Sequence, residues 1–86
     1  MPDYRVEFTP AAERQLATFS RQAREMVAAA IVTLAGSPRP PGCVTLSGSA
    51  DLWRIRVRNC RVVYTIADER LIITIVKIGD RKDVYR

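Results

Sequence analysis

Two short runs on either side of Arg58-Asn59 constrain the fold of this chain most strongly. From Trp53 to Val57, apolar residues alternate with arginines, which is the period-two pattern of a β-strand with one buried face. The run from Cys60 to Ile66 alternates in a similar way. Because Asn tolerates the left-handed backbone of a tight turn, the pattern predicts a β-hairpin with its turn at Arg58-Asn59.

The arginines of this hairpin are the first candidate functional residues. If the apolar faces of the two strands coincide, the opposite face carries Arg54, Arg56 and Arg61, and we expect their side chains to be exposed there. Guanidinium groups on a rigid element suit phosphate, which they bind through two donors. The formal net charge of +5 also favours an anionic partner. The pattern by itself equally fits a solvated sheet face without a ligand.

The remaining segments predict an α+β fold. A first strand is expected at Tyr4–Thr9, followed by a short helix that Thr9 caps and Pro10 begins. A second helix is expected from Arg21 to about Ala35, capped by Ser20 and ended by Gly36 in the left-handed conformation usual for such a glycine. Two more strands are predicted at 44–46 and 71–78. The order predicts a single domain over residues 1–86, a mostly antiparallel sheet with an N-terminal helical hairpin packed on one face.

Individual side chains in these segments also carry expectations. The strand at 71–78 is the most apolar, so it is predicted to be central and covered on both faces. Trp53 and Tyr64 share faces with apolar neighbours and are predicted to be core residues. Arg39, in the proline-rich loop at 37–42, is predicted to be a plain surface charge.

The composition excludes several classes of chemistry. The chain has no histidine, which rules out Ser-His and Cys-His catalytic arrangements, and its two cysteines do not suffice for a zinc site. We therefore expect no metal and no cofactor. No apolar run is long enough to cross a bilayer, and the N-terminus lacks the apolar segment of a signal peptide. The expected location is the cytoplasm, without a membrane partner.

Short motifs spread over nearly the whole chain resemble the RelE/ParE superfamily, the toxin halves of bacterial type II toxin–antitoxin pairs. Each motif is weak by itself, whereas their order and spacing are specific. The motifs are Tyr4-Arg-Val-Glu-Phe8, Ser37-Pro-Arg-Pro40, Leu46-Ser-Gly48, Trp53-Arg-Ile-Arg56, Arg61-Val-Val-Tyr64 and Ile78-Gly-Asp-Arg-Lys-Asp-Val-Tyr-Arg86. The resemblance implies a RelE-like fold.

The resemblance implies one of two activities. RelE-like members are ribosome-dependent, metal-independent endoribonucleases that cut mRNA in the ribosomal A site and arrest translation. ParE-like members inhibit DNA gyrase and lack the nuclease residues. The matching positions favour the RelE-like mRNA interferase, and gyrase inhibition remains the alternative, as does a basic interaction module without toxicity. The resemblance gives the catalytic positions as Arg54, Arg56, Arg61, Arg81 and Tyr85, and we expect Arg58, Lys82 and Arg86 to contact RNA or the ribosome.

The resemblance also implies partners, and it leaves one role open. The partners are a RelB-like antitoxin, the ribosome and mRNA, with operator DNA contacted only through the antitoxin. RelE-like enzymes often carry lysines where this chain has Arg54 and Arg56, and many carry histidine in place of Asp80. Because arginine does not deprotonate in proteins, no evident general base remains. The candidates are Tyr85, Asp80, Asp83 and a group of the ribosomal RNA. The alternative is that orientation of the substrate by the ribosome supplies most of the acceleration.

Overall fold

Two helices lie on one face of a five-stranded sheet in the computed structural model, which describes residues 3–46 and 51–80. The strand order is β1-β5-β4-β3-β2, and the β1–β5 pair is parallel whereas the other pairs are antiparallel. The predicted α+β architecture is confirmed. The elements are β1 (Arg5–Phe8), α1 (Pro10–Ala17), α2 (Arg21–Gly36), β2 (Val44–Thr45), β3 (Trp53–Val57), β4 (Cys60–Ala67) and β5 (Ile72–Asp80).

Both helices begin at the predicted caps. The Thr9 hydroxyl accepts a hydrogen bond of 3.1 Å from the backbone N–H of Ala12, and the Ser20 hydroxyl accepts one of 3.2 Å from Ala23. These contacts satisfy donors that the first turn of a helix otherwise leaves without partners.

The C-terminal end of α2 differs from the prediction. Gly36 is its last residue but does not have a positive φ, because the N–H of the following residue closes the last turn onto two helical carbonyls.

The hydrophobic core lies between the helices and the sheet. Tyr64 is fully buried there, and its hydroxyl donates a hydrogen bond of 2.8 Å to the carbonyl oxygen of Pro38. Burial raises the pKa of Tyr64 to about 12. Trp53 is half-buried against the core, so both aromatic residues occupy the predicted environment. The other buried apolar residues of this core are Ala12, Val27, Ile31, Leu34, Ile55, Val62, Ile73, Ile75 and Ile78.

The proline-rich loop is tied to the sheet through Arg39. Its guanidinium group donates to both carboxylate oxygens of Asp68, at 2.9 and 3.2 Å, and lies 5.0 Å from the centroid of the Trp53 ring. The Tyr4 hydroxyl donates to the same carboxylate at 2.7 Å. The hydrogen bonds from Arg39 and then from Tyr4 lower the pKa of Asp68. The prediction of a plain surface charge is wrong, because the planar fork of arginine matches a carboxylate and stacks on a ring.

The strand β5 is central, as predicted, since it lies between β1 and β4. Within residues 3–46 and 51–80, no helix or strand packs on its second face. The helices pack on one face only, and on the other face, here called the open face, Thr74 is half-buried and Lys77 is exposed. The prediction failed because a nearly continuous apolar run does not report how many faces of a strand are covered.

Candidate functional site

The register of the β3–β4 hairpin determines which arginines share a face. Arg56 pairs directly with Arg61, and Arg54 pairs with Val63. These residues lie on the open face, while Ile55 and its partner are buried under the helices. The predicted grouping of the three arginines on one face is therefore confirmed. We call Arg54, Arg56 and Arg61 the arginine face.

The hairpin turn contains a residue in an unfavourable conformation. The turn falls at 58–59 as predicted, but the residue with a left-handed backbone is Arg58, with φ of 53°, rather than Asn59. A two-residue hairpin turn of type II′ requires positive φ at its first central position only. Because arginine has a Cβ that clashes in this region, the Arg58 backbone is strained.

The three arginines differ in accessibility. Arg56 is exposed and Arg54 is half-buried, whereas Arg61 is only 7% exposed, so the expectation that it is exposed is wrong. Arg61 lies on β4, where strands flank it on both sides, with Arg56 opposite on β3. The Nε atom of Arg54 is buried and has no hydrogen-bond acceptor in the part of the chain described. Arg56 is therefore the member of the arginine face most open to a ligand.

The pairing of Arg56 with Arg61 opposes two like charges across a β-ladder. Side chains in directly opposite positions have Cβ atoms about 5 Å apart, and like charges in such pairs destabilise a sheet. An anion held between the two guanidinium groups would offset their repulsion and accept hydrogen bonds from both.

A lysine that the sequence analysis missed also lies on the open face. Lys77 of β5 pairs with Val63, the residue next to Arg61 on the same face of β4, whereas Tyr64 pairs with Ile75. Val76 is thus an extra residue in the ladder, which is the arrangement of a β-bulge. The bulge shifts the alternation of β5, so that Lys77 faces solvent beside the arginine face.

The bulge is held by two polar side chains of the α1 region. The Thr9 hydroxyl donates a hydrogen bond of 3.0 Å to the carbonyl oxygen of Val76. The side-chain oxygen of Gln15 accepts one of 2.7 Å from the backbone N–H of Ile78. A bulge leaves ladder groups without strand partners, and these contacts satisfy two of them.

A signal for Lys77 was present in the sequence. Strict alternation from Ile73 and Ile75 would place Lys77 on the same buried face, where an unpaired ammonium is costly. That conflict is resolved when one residue is inserted into the ladder between Ile75 and Lys77. A lysine out of phase in an apolar strand therefore indicated a bulge.

Charge is unevenly distributed over the open face. The basic half carries the arginine face and Lys77, and the opposite half carries Arg5 and Glu7 on β1, both exposed. Within residues 3–46 and 51–80, no group of three or more His, Cys, Asp or Glu side chains is placed to hold a metal ion. The open face thus offers cationic hydrogen-bond donors for an anion.

Several predicted residues lie outside the described parts of the chain. They are Arg81, Lys82, Tyr85 and Arg86, together with Asp83, a candidate base. Asp80 is the last residue of β5, and only its backbone is described. In the described segments, neither helix has the length and apolar character needed to span a bilayer.

The fold and the arginine face define a small basic α+β protein with a sheet surface suited to phosphate. The model of the family described as "ParE toxin of type II toxin-antitoxin system, parDE" matches residues 6–85. The chain belongs to this family of type II toxins, within the RelE/ParE superfamily. It is also 30% identical over 86 residues to an Escherichia coli protein named as a candidate RelE-like toxin, covering 95% of this chain and 90% of that one.

Solved structures with the same fold include RelE toxins. The isolated E. coli RelE toxin, in one crystal form, is 27% identical with a TM-score of 0.80, over 95% of this chain and 90% of that one. The toxin of the intact E. coli RelBE toxin–antitoxin complex is 25% identical with a TM-score of 0.79, over 90% of this chain and 95% of that one. An archaeal RelE–RelB complex from Pyrococcus horikoshii gives a TM-score of 0.81 at 24% identity, over 92% of this chain and 96% of that one. At this identity the similarity supports the fold alone.

Proposed function

We propose that this chain cleaves mRNA on the ribosome without a metal ion and so arrests translation. The observation that carries the proposal is the register that brings Arg54, Arg56 and Arg61 to one face of the sheet. Similarity to RelE toxins supports the same activity. Such a reaction takes place in the cytoplasm, where mRNA and ribosomes are found.

The chemistry of metal-free RNA cleavage matches what arginines provide. The 2′-hydroxyl oxygen attacks the adjacent phosphorus, a 2′,3′-cyclic phosphate forms, and the 5′-oxygen leaves. Charge on the phosphoryl oxygens must be stabilised, and fixed guanidinium groups do this without reorganising. We assign this task to Arg61, supported by Arg56 and Arg54. The buried position of Arg61 strengthens its interaction with a phosphate, because the local dielectric constant is low.

Two further roles fall on residues beyond the described segments. Arg81 follows the end of β5 and is proposed to act near the leaving group. Tyr85 is proposed to stack on a base or to position the 2′-hydroxyl, since RNA-binding proteins commonly stack bases on aromatic rings. Arg58, Lys82 and Arg86 are proposed to contact the RNA or ribosomal backbone.

The proposed regulator is a RelB-like antitoxin encoded beside this chain. A similar E. coli toxin is described in an intact toxin–antitoxin complex with RelB. An acidic segment that folds on binding would complement the arginine face. An apolar groove of about 310 Å³ between α2 and the edge of β3, lined in part by Ala30, Leu34 and Ile55, offers a second contact area. Operator DNA would be reached only through the antitoxin.

Primer extension on cellular mRNA after induction tests the proposed activity. Wild-type protein should produce breaks in phase with codons, and Arg61→Ala should remove most of them at equal expression. The control is Arg14→Ala, which changes an exposed arginine on α1, on the helical side of the sheet, and should cut like the wild type. Intact mRNA after induction of a toxic wild-type protein would exclude the nuclease activity.

Gyrase inhibition is the second candidate function. It is favoured by the family model, which is that of ParE toxins, and by arginines at positions where RelE-like enzymes often have lysines. If this activity is the correct one, induction leaves mRNA intact while covalent gyrase–DNA cleavage complexes accumulate.

Co-expression with the adjacent reading frame, followed by affinity purification and a growth assay, tests the proposed antitoxin partner. Failure to co-purify and to restore growth would exclude that partner.

A further inference from the structure

We propose that Lys77 donates the proton that the leaving 5′-oxygen takes up when the chain cleaves RNA. This inference rests on the RNA-cleaving function proposed above. It starts from the bulge in β5, which turns the lysine onto the open face beside the arginine face.

The position of Lys77 suits a group that acts on a phosphate held by Arg61. Lys77 lies opposite Val63, and Arg61 is two residues from Val63 on the same strand face. This is a diagonal neighbour position, with Cβ atoms about 7–8 Å apart, which long side chains span. Arg56 lies on the other side of Arg61. A phosphate above Arg61 would therefore have an exposed arginine on one side and an exposed lysine on the other.

The chemical difference between these two cations selects the lysine for proton transfer. Arginine does not give up its proton in proteins, whereas the lysine ammonium carries three donors and exchanges readily. The other ionisable groups on the described open face are Arg54, Arg5 and Glu7. Glu7 lies too far away, because it is on β1, two strands from the β4 strand that carries Arg61.

The proposed step forms one bond to phosphorus and breaks another. The 2′-oxygen forms a bond to phosphorus, and its proton passes to a water molecule. The bond between phosphorus and the 5′-oxygen breaks, and that oxygen takes a proton from the ammonium group of Lys77. The products are a 2′,3′-cyclic phosphate and a 5′-hydroxyl. The neutral amine then recovers a proton from water, which returns Lys77 to its starting state.

Replacement of the leaving oxygen by sulfur tests this role directly. A thiolate leaves without being protonated, so the proton donor becomes dispensable. We measure single-turnover cleavage on programmed ribosomes with mRNA carrying either a 5′-oxygen or a 5′-sulfur at the scissile linkage. Lys77→Ala and Lys77→Arg should each slow the oxygen substrate by about 100-fold or more, a typical contribution of acid–base catalysis. Each should slow the sulfur substrate by less than about 10-fold.

Control variants distinguish proton donation by Lys77 from misfolding and from a role in charge or position only. Arg14→Ala should match the wild type on both substrates, and thermal unfolding checks that each Lys77 variant is folded. Equal losses on the two substrates, or full activity of Lys77→Arg, would mean that Lys77 supplies only charge or position, and the proposal would be wrong. If the wild type cuts neither substrate, the proposed nuclease function itself fails, an outcome visible before any variant is compared.

Discussion

The hydroxyl group of Thr9 donates a hydrogen bond of 3.0 Å to the carbonyl oxygen of Val76, which joins the start of α1 to the bulge of β5. The same hydroxyl accepts from the N–H of Ala12 and caps the helix. One side chain therefore stabilises both the helix start and the bulge, and the bulge sets the direction of Lys77.

Replacement of Thr9 by valine should destabilise the protein more than the loss of a helix cap alone. Thr9→Val keeps the side-chain shape but removes both hydrogen bonds, and we expect the free energy of unfolding to fall by about 2 kcal/mol. Urea denaturation measures the change. Thr9→Ser retains the hydroxyl and should lose less than half as much. Equal losses for the two variants would show that the hydroxyl contacts do not contribute.

Removal of one charge from the arginine face should raise stability and lower toxicity together. Arg56→Thr relieves the opposition between Arg56 and Arg61 and introduces a residue that favours strands. The free energy of unfolding should rise by about 0.5 kcal/mol, and mRNA cleavage should fall at least 10-fold. Denaturation and primer extension on the same preparation measure both. A variant that loses stability would contradict the view that this pair is strained.

The strained backbone at Arg58 offers a stabilising substitution. Arg58→Gly should raise the free energy of unfolding by about 1 kcal/mol, because glycine adopts positive φ without a steric penalty. Arg70→Gly is the matched control, since Arg70 is an exposed turn residue without positive φ. Glycine at position 70 should lower stability through the added freedom of the unfolded chain. Thermal unfolding of both variants decides whether strain at Arg58 is real.

The contact between Arg39 and Asp68 should make stability depend on acid pH. The folded-state pKa of Asp68 is lowered from 3.8, so its contribution is present above about pH 4 and is lost as the pH falls through the folded pKa. Asp68→Asn should therefore lower the unfolding temperature at pH 7, and the difference from the wild type should shrink as the pH falls through the folded pKa of Asp68. Glu69→Gln, in the same turn, is the control and should not change this dependence. A deficit of Asp68→Asn that persists unchanged at low pH would contradict the prediction.

The sequence predicted the elements and the arginine face because both depend on local periodicity. Alternation in β3 and β4 determines which residues share a face, and Thr9 and Ser20 mark the helix starts through contacts within one turn. These signals need only a few neighbouring residues. The direct pairing of Arg56 with Arg61 was not predicted, although a short turn fixes the register of a hairpin.

What the sequence did not predict depends on contacts between distant segments. The bulge at Val76 is stabilised by Thr9 and Gln15, more than sixty residues away along the chain, so Lys77 was overlooked. The carboxylate that binds Arg39 lies 29 residues further on. The burial of Arg61 was likewise not predicted, because alternation along a strand identifies the face on which a side chain lies but not how much of that side chain is covered.

The edge of the sheet at β3 has a consequence for how the protein behaves in solution. The strand β2 pairs only with Trp53 and Arg54, so in the described segments no strand lies beside Ile55–Val57 on that side. An uncovered edge invites pairing with another copy, and charged side chains on the edge oppose it. Arg56 stands at that edge. Its removal should therefore yield molecules that are individually harder to unfold and yet precipitate sooner as their concentration rises.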